Sequence, residues 1–425
     1  MQRLMKWSMS HPAIIIVLLI SACIFAFPYA KGLKLDASAE SMMVPGNLEM
    51  EYYKDTLKKF GSDSIVIIFV QDKYLFSPAV LLKLRKLFLD LGKVDGVDRA
   101  ESLFTVSNFR GSEGMLENNP LMDYVPETQD QADKVKANAL NSPILKNNLI
   151  SEDGTSTAIN LYLECISDPD FFPELAVKIE AILEQYAGEF ETLVQIGTPY
   201  TRKSLTDMLA TNQKTCIPLS FLTILIMLML TTRSVSGAVL PILTSSSSVL
   251  LTLGFMGLVN IPINILTSII PLLIIVIGST EDVHLMSEYM EGLHQEKGIK
   301  EKAVHYMASK VGTAVLLTAL TTCIGFISIS INEITMLRQF GIAAGFGLFI
   351  NPLVTATLAP VYLRFFGPEK SKKISARKSL FTKILDFFTD KIIYIVQYKK
   401  KITLILMSIL VVVVGSFSFK IRVDN

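Results

Sequence analysis

Glu281 and Asp282 stand side by side in Ile263–Glu291, INILTSIIPLLIIVIGSTEDVHLMSEYME. A long apolar run leads up to them, and Val283, Leu285 and Met286 resume it with His284 among them. A run this long and this apolar reads as a membrane helix. A carboxylate inside one is costly, roughly 2.5–3.5 kcal/mol for an Asp near the centre, so acids kept there point to a proton or ion relay. Asp282 is the first candidate carrier. Desolvation disfavours its charged form, so it can take up a proton at one membrane face and release it at the other as its surroundings alternate. The available drive is about 2.3 kcal/mol per charge per 100 mV. If the helix ends near Tyr289, Asp282 lies in its cytoplasmic half. Glu281 is about 100° around the helix from Asp282, so the two do not share a face; its neighbours at three and four residues are His284 and Leu285. Glu281 is therefore either a second titrating group or a structural partner of His284. His284 is either a relay member or a satisfied polar residue near the surface.

The elements that must hold these residues are membrane spans. The chain has 425 residues, half of them hydrophobic, and a net charge of +1, a balance that gives no reason to expect nucleic-acid binding. Seven apolar stretches are long enough to cross a bilayer, at about 13–29, 216–231, 237–258, 263–287, 311–330, 339–363 and 402–418. Residues 1–33 hold the first, after a start that carries Arg3 and Lys6. A cleaved leader would share that basic start, but Pro28, Tyr29 and Lys31 make a poor small-residue cleavage site. An uncleaved first helix is expected. Five spans occupy 214–365, a basic linker occupies 366–401, and the seventh span occupies 402–425. No lysine or arginine lies in the spans neighbouring the acids. Candidate supporting polar groups are Thr318, Thr321 and Thr322 on the fifth span and Asn351 on the sixth; such threonines also serve as ordinary helix-packing hydroxyls. Ser245–Ser248 is a polar tetrad inside the third span, suited either to a water path or to packing. Gly278, Gly341 and Gly345 would let helices approach closely. Pro271 could loosen the fourth span ahead of Asp282.

Residues 34–213 read as a soluble α/β domain. Ser64–Val70 is β-branched and strand-like. Pro78–Leu91 is an amphipathic helix with Ser77 as its N-cap and Pro78 at its first position. Gly96–Phe104 is a second strand, and Thr105–Asn148 a looser stretch. Leu149–Glu164 reads as strand, turn at Glu152-Asp153-Gly154, and strand. Phe172–Tyr186 is a second helix and Glu191–Ile196 a last strand. The order β-α-β, insertion, β-α-β is that of the ferredoxin-like fold. Cys165 is the one cysteine in this region, so no disulfide framework is expected there.

Positive residues in short connections set the orientation. With the N-terminus cytoplasmic, Arg233, the 288–310 connection and the cations from Arg364 to Lys401 all fall on the cytoplasmic side, including Lys370, Lys372, Lys373, Arg377 and Lys378. The 34–213 domain then lies outside. Ser379–Val396 has the pattern of an amphipathic helix, either on the membrane surface or in a solvated linker. Trp7–Asp36 and Val396–Asp424 share a polar entry, one apolar span and a short basic-apolar alternation ending in Asp. The chain therefore reads as one complete unit followed by the start of a second. There is no nucleophile elbow, P-loop or metal-ligand cluster, so a non-enzymatic protein without cofactors, coupled to an ion gradient instead of ATP, is expected.

One helix, a large outside domain and five further helices resemble the half-unit of the resistance-nodulation-division superfamily. The tract Thr318–Leu363 (TALTTCIGFISISINEITMLRQFGIAAGFGLFINPLVTATLAPVYL) is similar to helices five and six of its lipid-exporter branch. That branch holds the MmpL, hopanoid-transporter and Patched-like proteins. Gly278–Glu291 is similar to its fourth helix: a glycine, an acid four residues on, then a His, a Tyr and a Glu. Arg99–Gly111 and Leu149–Leu163 resemble bacterial members. The resemblance implies a polytopic helical membrane protein with a ferredoxin-like porter-type domain in the bacterial inner membrane. It also implies proton-coupled export of sterols, hopanoids or other lipids, with Asp282 as proton carrier. Its expected partners are the bilayer, a hydrophobic substrate, a second unit in the same chain or another copy, and a periplasmic protein. Family members usually carry two units, and compensating polar groups often come from the second; Glu281 also stands where another Asp or a neutral residue is usual. A lipid-sensing protein and an accessory of protein translocation are the alternative functions.

Overall fold

The computed structural model describes residues 1–38, 44, 48–60, 64–112, 115–122, 124–164, 171–232, 235–368 and 380–418. Arg233, Cys165, the cations at 370, 372, 373, 377 and 378, and the end of the proposed repeat after residue 418 lie outside the described residues. The chain divides into a unit of Met1–Pro368 and a second of Glu369–Asn425.

The first unit begins with a short amphipathic helix, α1 (Gln2–Ser10), which buries Met5, Ser8 and Met9. His11 separates it from α2 (Pro12–Lys31), which Pro12 opens in its first turn. α2 is apolar on all sides and buries only Ile15 and Ala26, as expected of a helix whose remaining surface meets lipid. After it come α3 (Leu48–Phe60), β1 (Ile65–Gln71), α4 (Pro78–Leu91), β2 (Val97–Glu101), β3 (Ser107–Ser112), β4 (Met115–Pro120), α5 (Gln129–Asn141), β5 (Ser156–Leu163), α6 (Phe171–Gln185) and β6 (Thr192–Gly197). The main sheet runs β2-β5-β1-β6 with every pair antiparallel. This is the split βαβ order that the pattern of strands and helices predicts. Strict alternation builds its core: Val66, Ile68 and Val70 on β1 and Ile159, Leu161 and Leu163 on β5 point to one face. Leu81, Leu84, Leu87 and Leu91 of α4 and Leu175, Ile179 and Leu183 of α6 join them in that core. Ser77 caps α4 by accepting a hydrogen bond from the Val80 amide at 3.3 Å.

The register places Ile67 opposite Asn160 and Ile196, and Phe69 opposite Ala158 and Val194. These residues share the sheet's other face, where Val194 and Ile196 are 42% and 50% exposed.

Three details of the domain differ from the sequence reading. Residues 149–151 form no strand; Ile150 makes only isolated bridges, one of them to Thr157. The stretch 105–148 is not loose, since it contains the β3–β4 hairpin and α5. The hairpin's SNFRGS and MLENNP lack apolar alternation, and α5 buries only Ala132 and Ala139, so neither shows a hydrophobic period. α3 is likewise polar on most of its turns.

β6 passes into α7 (Thr198–Thr232) at Gly197, whose φ of +123° belongs to glycine. A Cβ there would strike the Ile65 carbonyl on β1. α7 has 35 residues, about 52 Å at 1.5 Å per residue, against a hydrocarbon core of about 30 Å. One helix thus continues from the domain into the apolar region, with no break at 213/214. α8 (Val235–Leu258), α9 (Ile270–Gln295), α10 (Lys300–Ile329) and α11 (Thr335–Phe366) complete the bundle, and a 3-10 turn at Thr267–Ile269 leads into α9. Asn264 fixes that entry by accepting from the Thr267 amide at 2.9 Å.

The bundle has two distinct ends. Met5 and Met9 of α1 pack with Tyr289, Leu293, Val304, Met307 and Leu363 at one of them. At the other, Lys34 and Asp36 bond the backbone of Ile263 at 2.8 and 2.9 Å, just before the α/β domain begins. In the second unit, α12 (Leu380–Tyr398) overlaps the expected amphipathic segment, and α13 (Lys400–Ser418) exposes nearly all of its apolar side chains. Among the described residues, seven helices are long and apolar enough to cross a membrane. The protein is a polytopic helical membrane protein with a small α/β domain.

Candidate functional site

α9 is continuous from Ile270 to Gln295, so Pro271 lies in its first turn and starts the helix without interrupting it. The helix also extends well beyond Tyr289, which puts Asp282 close to its midpoint. Half of α9 is buried, because α7, α8, α10 and α11 all pack against it. That wide buried surface takes in two residues about 100° apart: Glu281 is 6% exposed and Asp282 fully buried.

The two carboxyls face different neighbours. Thr244 of α8 donates to Asp282 Oδ2 at 2.6 Å. Asn351 Nδ2 of α11 donates to Glu281 Oε2 at 3.3 Å. Thr355 lies one turn beyond Asn351 and faces Asp282, although its hydroxyl and Asp282 Oδ1 fall short of hydrogen-bond geometry. Gly278 makes room for this arrangement: a Cβ there would come within 2.7 Å of Asn351 Oδ1. Among the described residues neither acid has a lysine, arginine or histidine partner. An uncompensated buried charge is expensive, which sets the two acids apart from the other buried polar groups of the bundle.

The structure brings together Glu281, Asp282, Asn351 and Gly278 from the sequence-derived set. It leaves the others apart. His284 is exposed on the outside of α9, away from Glu281's buried partner. Thr318 and Thr321 are exposed and Thr322 half-buried; Thr321 and Thr322 donate back to carbonyls of their own helix. Gly341 and Gly345 pack against the end of α10, at Ser330, Phe326 and Ile327. Thr244 and Thr355 were missed by sequence reasoning. The signals existed: Thr244 adjoins the Ser245–Ser248 tetrad, and Thr355 follows Asn351 at helical i,i+4 spacing. Ser245 and Ser248 are buried too, with Ser248 donating to its own helix at Thr244 O.

The MMPL family matches residues 48–389, from α3 through α11 and part of α12, with α1 and α2 before the matched stretch. The chain belongs to the MMPL family. A Methanocaldococcus jannaschii protein described only as a membrane protein, MJ1562, is 23% identical over 374 residues, covering 85% of this chain and 93% of that protein. The apo-petrobactin exporter of Bacillus anthracis is 28% identical over 152 residues, 34% of this chain and 20% of that exporter. This MMPL chain is thus a member of a family of membrane transporters, of the resistance-nodulation-division kind that its helix order and its fourth-helix motif resemble.

Proposed function

We propose that this MMPL protein is a proton-coupled exporter unit that moves hydrophobic, lipid-like molecules out of the cytoplasmic membrane. The observation that carries the reading is the buried Asp282 beside Glu281, held by hydroxyl and amide groups and, among the described residues, by no cation. Intramembrane acids persist where they move charge. Proton uptake at Asp282 removes the cost of a buried anion, and proton loss restores it. The Thr244 and Thr355 hydroxyls are on hand to rearrange, and such an exchange biases the packing of α8 and α11 against α9.

The similarity to an exporter supports outward movement. The half-open sheet face of Ile67, Phe69, Val194 and Ile196 suits apolar cargo. In this reading, the end of the bundle holding α1 and the 288–310 stretch is cytoplasmic, and the α/β domain faces the periplasm. A second unit, in the same protein or as another copy, completes the transporter.

The test uses membrane vesicles with an imposed pH gradient and a fluorescent sterol or phospholipid analogue as cargo. Asp282→Asn is expected to reduce gradient-driven movement to background at unchanged protein level. Movement at the wild-type rate in that variant contradicts the relay. Binding of the analogue by the wild type with no gradient dependence favours a lipid-sensing role instead.

A further inference from the structure

α1 lies across the end of the bundle that follows Asp282 along α9. The apolar cluster there starts one turn past the acid, at Leu285 and Met286, and takes in Tyr289 of α9 and Met307 of α10. Met5 and Met9 of α1 close it, at 0% and 6% exposed. Hydrogen bonds hold α1 down on this plug. Gln2 Nε2 donates to the Ser309 carbonyl at 2.9 Å, the Ser8 hydroxyl to the Thr357 carbonyl, and Arg364 Nη1 to the Met9 carbonyl at 2.7 Å. Arg364 also pairs with Glu301 at 2.8 Å. One guanidinium thus links the last turn of α1, the first turn of α10 and the last turn of α11.

α1 depends on that docking. It has nine residues and no side-chain cap at its start, and isolated helices of that length are marginal in water. His11, with φ −129° and ψ 56°, breaks the helix between α1 and α2, so α1 can swing without carrying α2 along. Its outward side exposes Arg3, Lys6 and Trp7, residue types that anchor an amphipathic helix in the headgroup layer. The face of Met5 and Met9 therefore has two apolar places to go, the bundle end and the bilayer surface. We propose that α1 is a hinged strap over this end of the bundle, with Arg364 as its latch. Docked, it seals the plug between Asp282 and the adjacent aqueous side. Swung onto the membrane surface, it opens the plug to water. The consequence for proton access rests on the relay reading and its orientation; the docking and release of α1 do not.

The test uses the full chain in lipid nanodiscs, which leave both faces open, with its four cysteines replaced by serine and Met307→Cys as a reporter in the plug. A water-soluble maleimide is expected to label the reporter slowly. Labelling should be about ten-fold faster in Arg364→Gln, the population shift that follows from losing one charge-assisted hydrogen bond. Met5→Gln, close in volume but polar, should act in the same direction. A second reporter, Met256→Cys, is buried in the cluster at the other end of the bundle and should not respond. Unchanged labelling of Met307→Cys in both variants overturns the strap. A rise at both reporters also overturns it, because it marks loosening of the whole bundle. In proteoliposomes, a short bismaleimide joining Gln2→Cys to Ser309→Cys is expected to stop gradient-driven lipid movement, while each single-cysteine chain treated alike keeps it. Movement at the full rate with α1 tethered overturns the strap. The relay is exposed separately. Movement lost in the tethered chain but kept in Asp282→Asn supports the strap and removes the relay; the reverse removes the strap and leaves the relay standing.

Discussion

In the α/β domain the hydrogen-bonded acids Asp90 and Asp153 lie at the surface, and Asp72, which accepts from the Tyr74 amide at 2.8 Å, is the buried exception among the described residues. In the bundle, Glu281 and Asp282 lie at the centre. Asp90 accepts from Tyr186 at 2.7 Å and from Lys93 at 3.2 Å on the rim of the domain. Asp153 accepts from Ser151 and Thr155 in an exposed turn. The core beneath them is almost wholly apolar. The bundle instead buries Thr244, Ser245, Ser248, Thr252, Ser279, Asn351 and Thr355 along with the two acids, while its apolar side chains, such as those of α2, point outward. In water, burial of apolar surface drives folding. In lipid that drive is missing and packing and hydrogen bonds take over, so an apolar exterior is no loss and a polar interior needs a reason. The domain's core stabilises; the bundle's core is where we propose that the coupling chemistry lies.

That contrast can be broken by mutation, and the largest stability effect belongs to the domain. Leu84→Ala, at a fully buried position of α4, should cost about 2–5 kcal/mol, read as a lowered melting temperature and faster proteolysis of the domain. Asp282→Asn should show no such loss, because it removes a buried charge without leaving a cavity. Gly278→Val comes next. Its side chain displaces Asn351 from Glu281, so transport should fall several-fold with the protein still folded, and Asn351→Ala, which removes the same hydrogen bond, should lower it to a similar degree. The smallest effect is expected for His284→Ala and Thr318→Ala. Both positions are exposed, so melting should change by less than about 0.5 kcal/mol in stability and transport should stay near wild type. Strong loss in either would merge the two faces of α9 and α10 that the structure separates.

The pH dependence sharpens the same comparison. The Ser151 hydroxyl, then the Thr155 amide and hydroxyl, hold the Asp153 carboxyl down to about 2, below its ordinary value of about 3.9. A depressed carboxyl stabilises the turn above the unfolded value and loses that contribution as pH falls through the folded one. Amide protection at residues 152–156, corrected for the intrinsic pH dependence of exchange, should therefore fall only below about pH 4 and stay flat from pH 5 to 8. In Tyr186, burial and then the Asp90 hydrogen bond push the phenol up to about 12, well above that window. The domain contains no histidine, so transport that changes between pH 5 and 8 is expected to take its pH dependence from the bundle.

Much of the fold could be read from the residues. Alternation in IVIIFVQ and STAINLYL, and Ser77-Pro78 at a helix start, mark elements whose local preference and burial agree. The β3–β4 hairpin and α5 were illegible because their polar sequences carry no period. The extent of α7 was hidden in the same way, since its first half is too polar to read as part of a membrane helix. For the site, Asp282, Glu281 and Asn351 stood out as polar groups in apolar runs. Their partners did not, because α8 and α11 meet α9 through tertiary packing that sequence spacing does not encode. The threonines of α10 were equally plausible by spacing, yet they bond their own carbonyls and face outward.

The central claim is that Asp282 couples transport to protons, and it is tested most directly in proteoliposomes. Cargo exchange without a gradient is compared with cargo movement driven by an imposed pH gradient, for the wild type and Asp282→Asn. The account predicts that exchange survives in the variant while gradient-driven accumulation disappears. Accumulation that responds to the gradient equally in both proteins would contradict it.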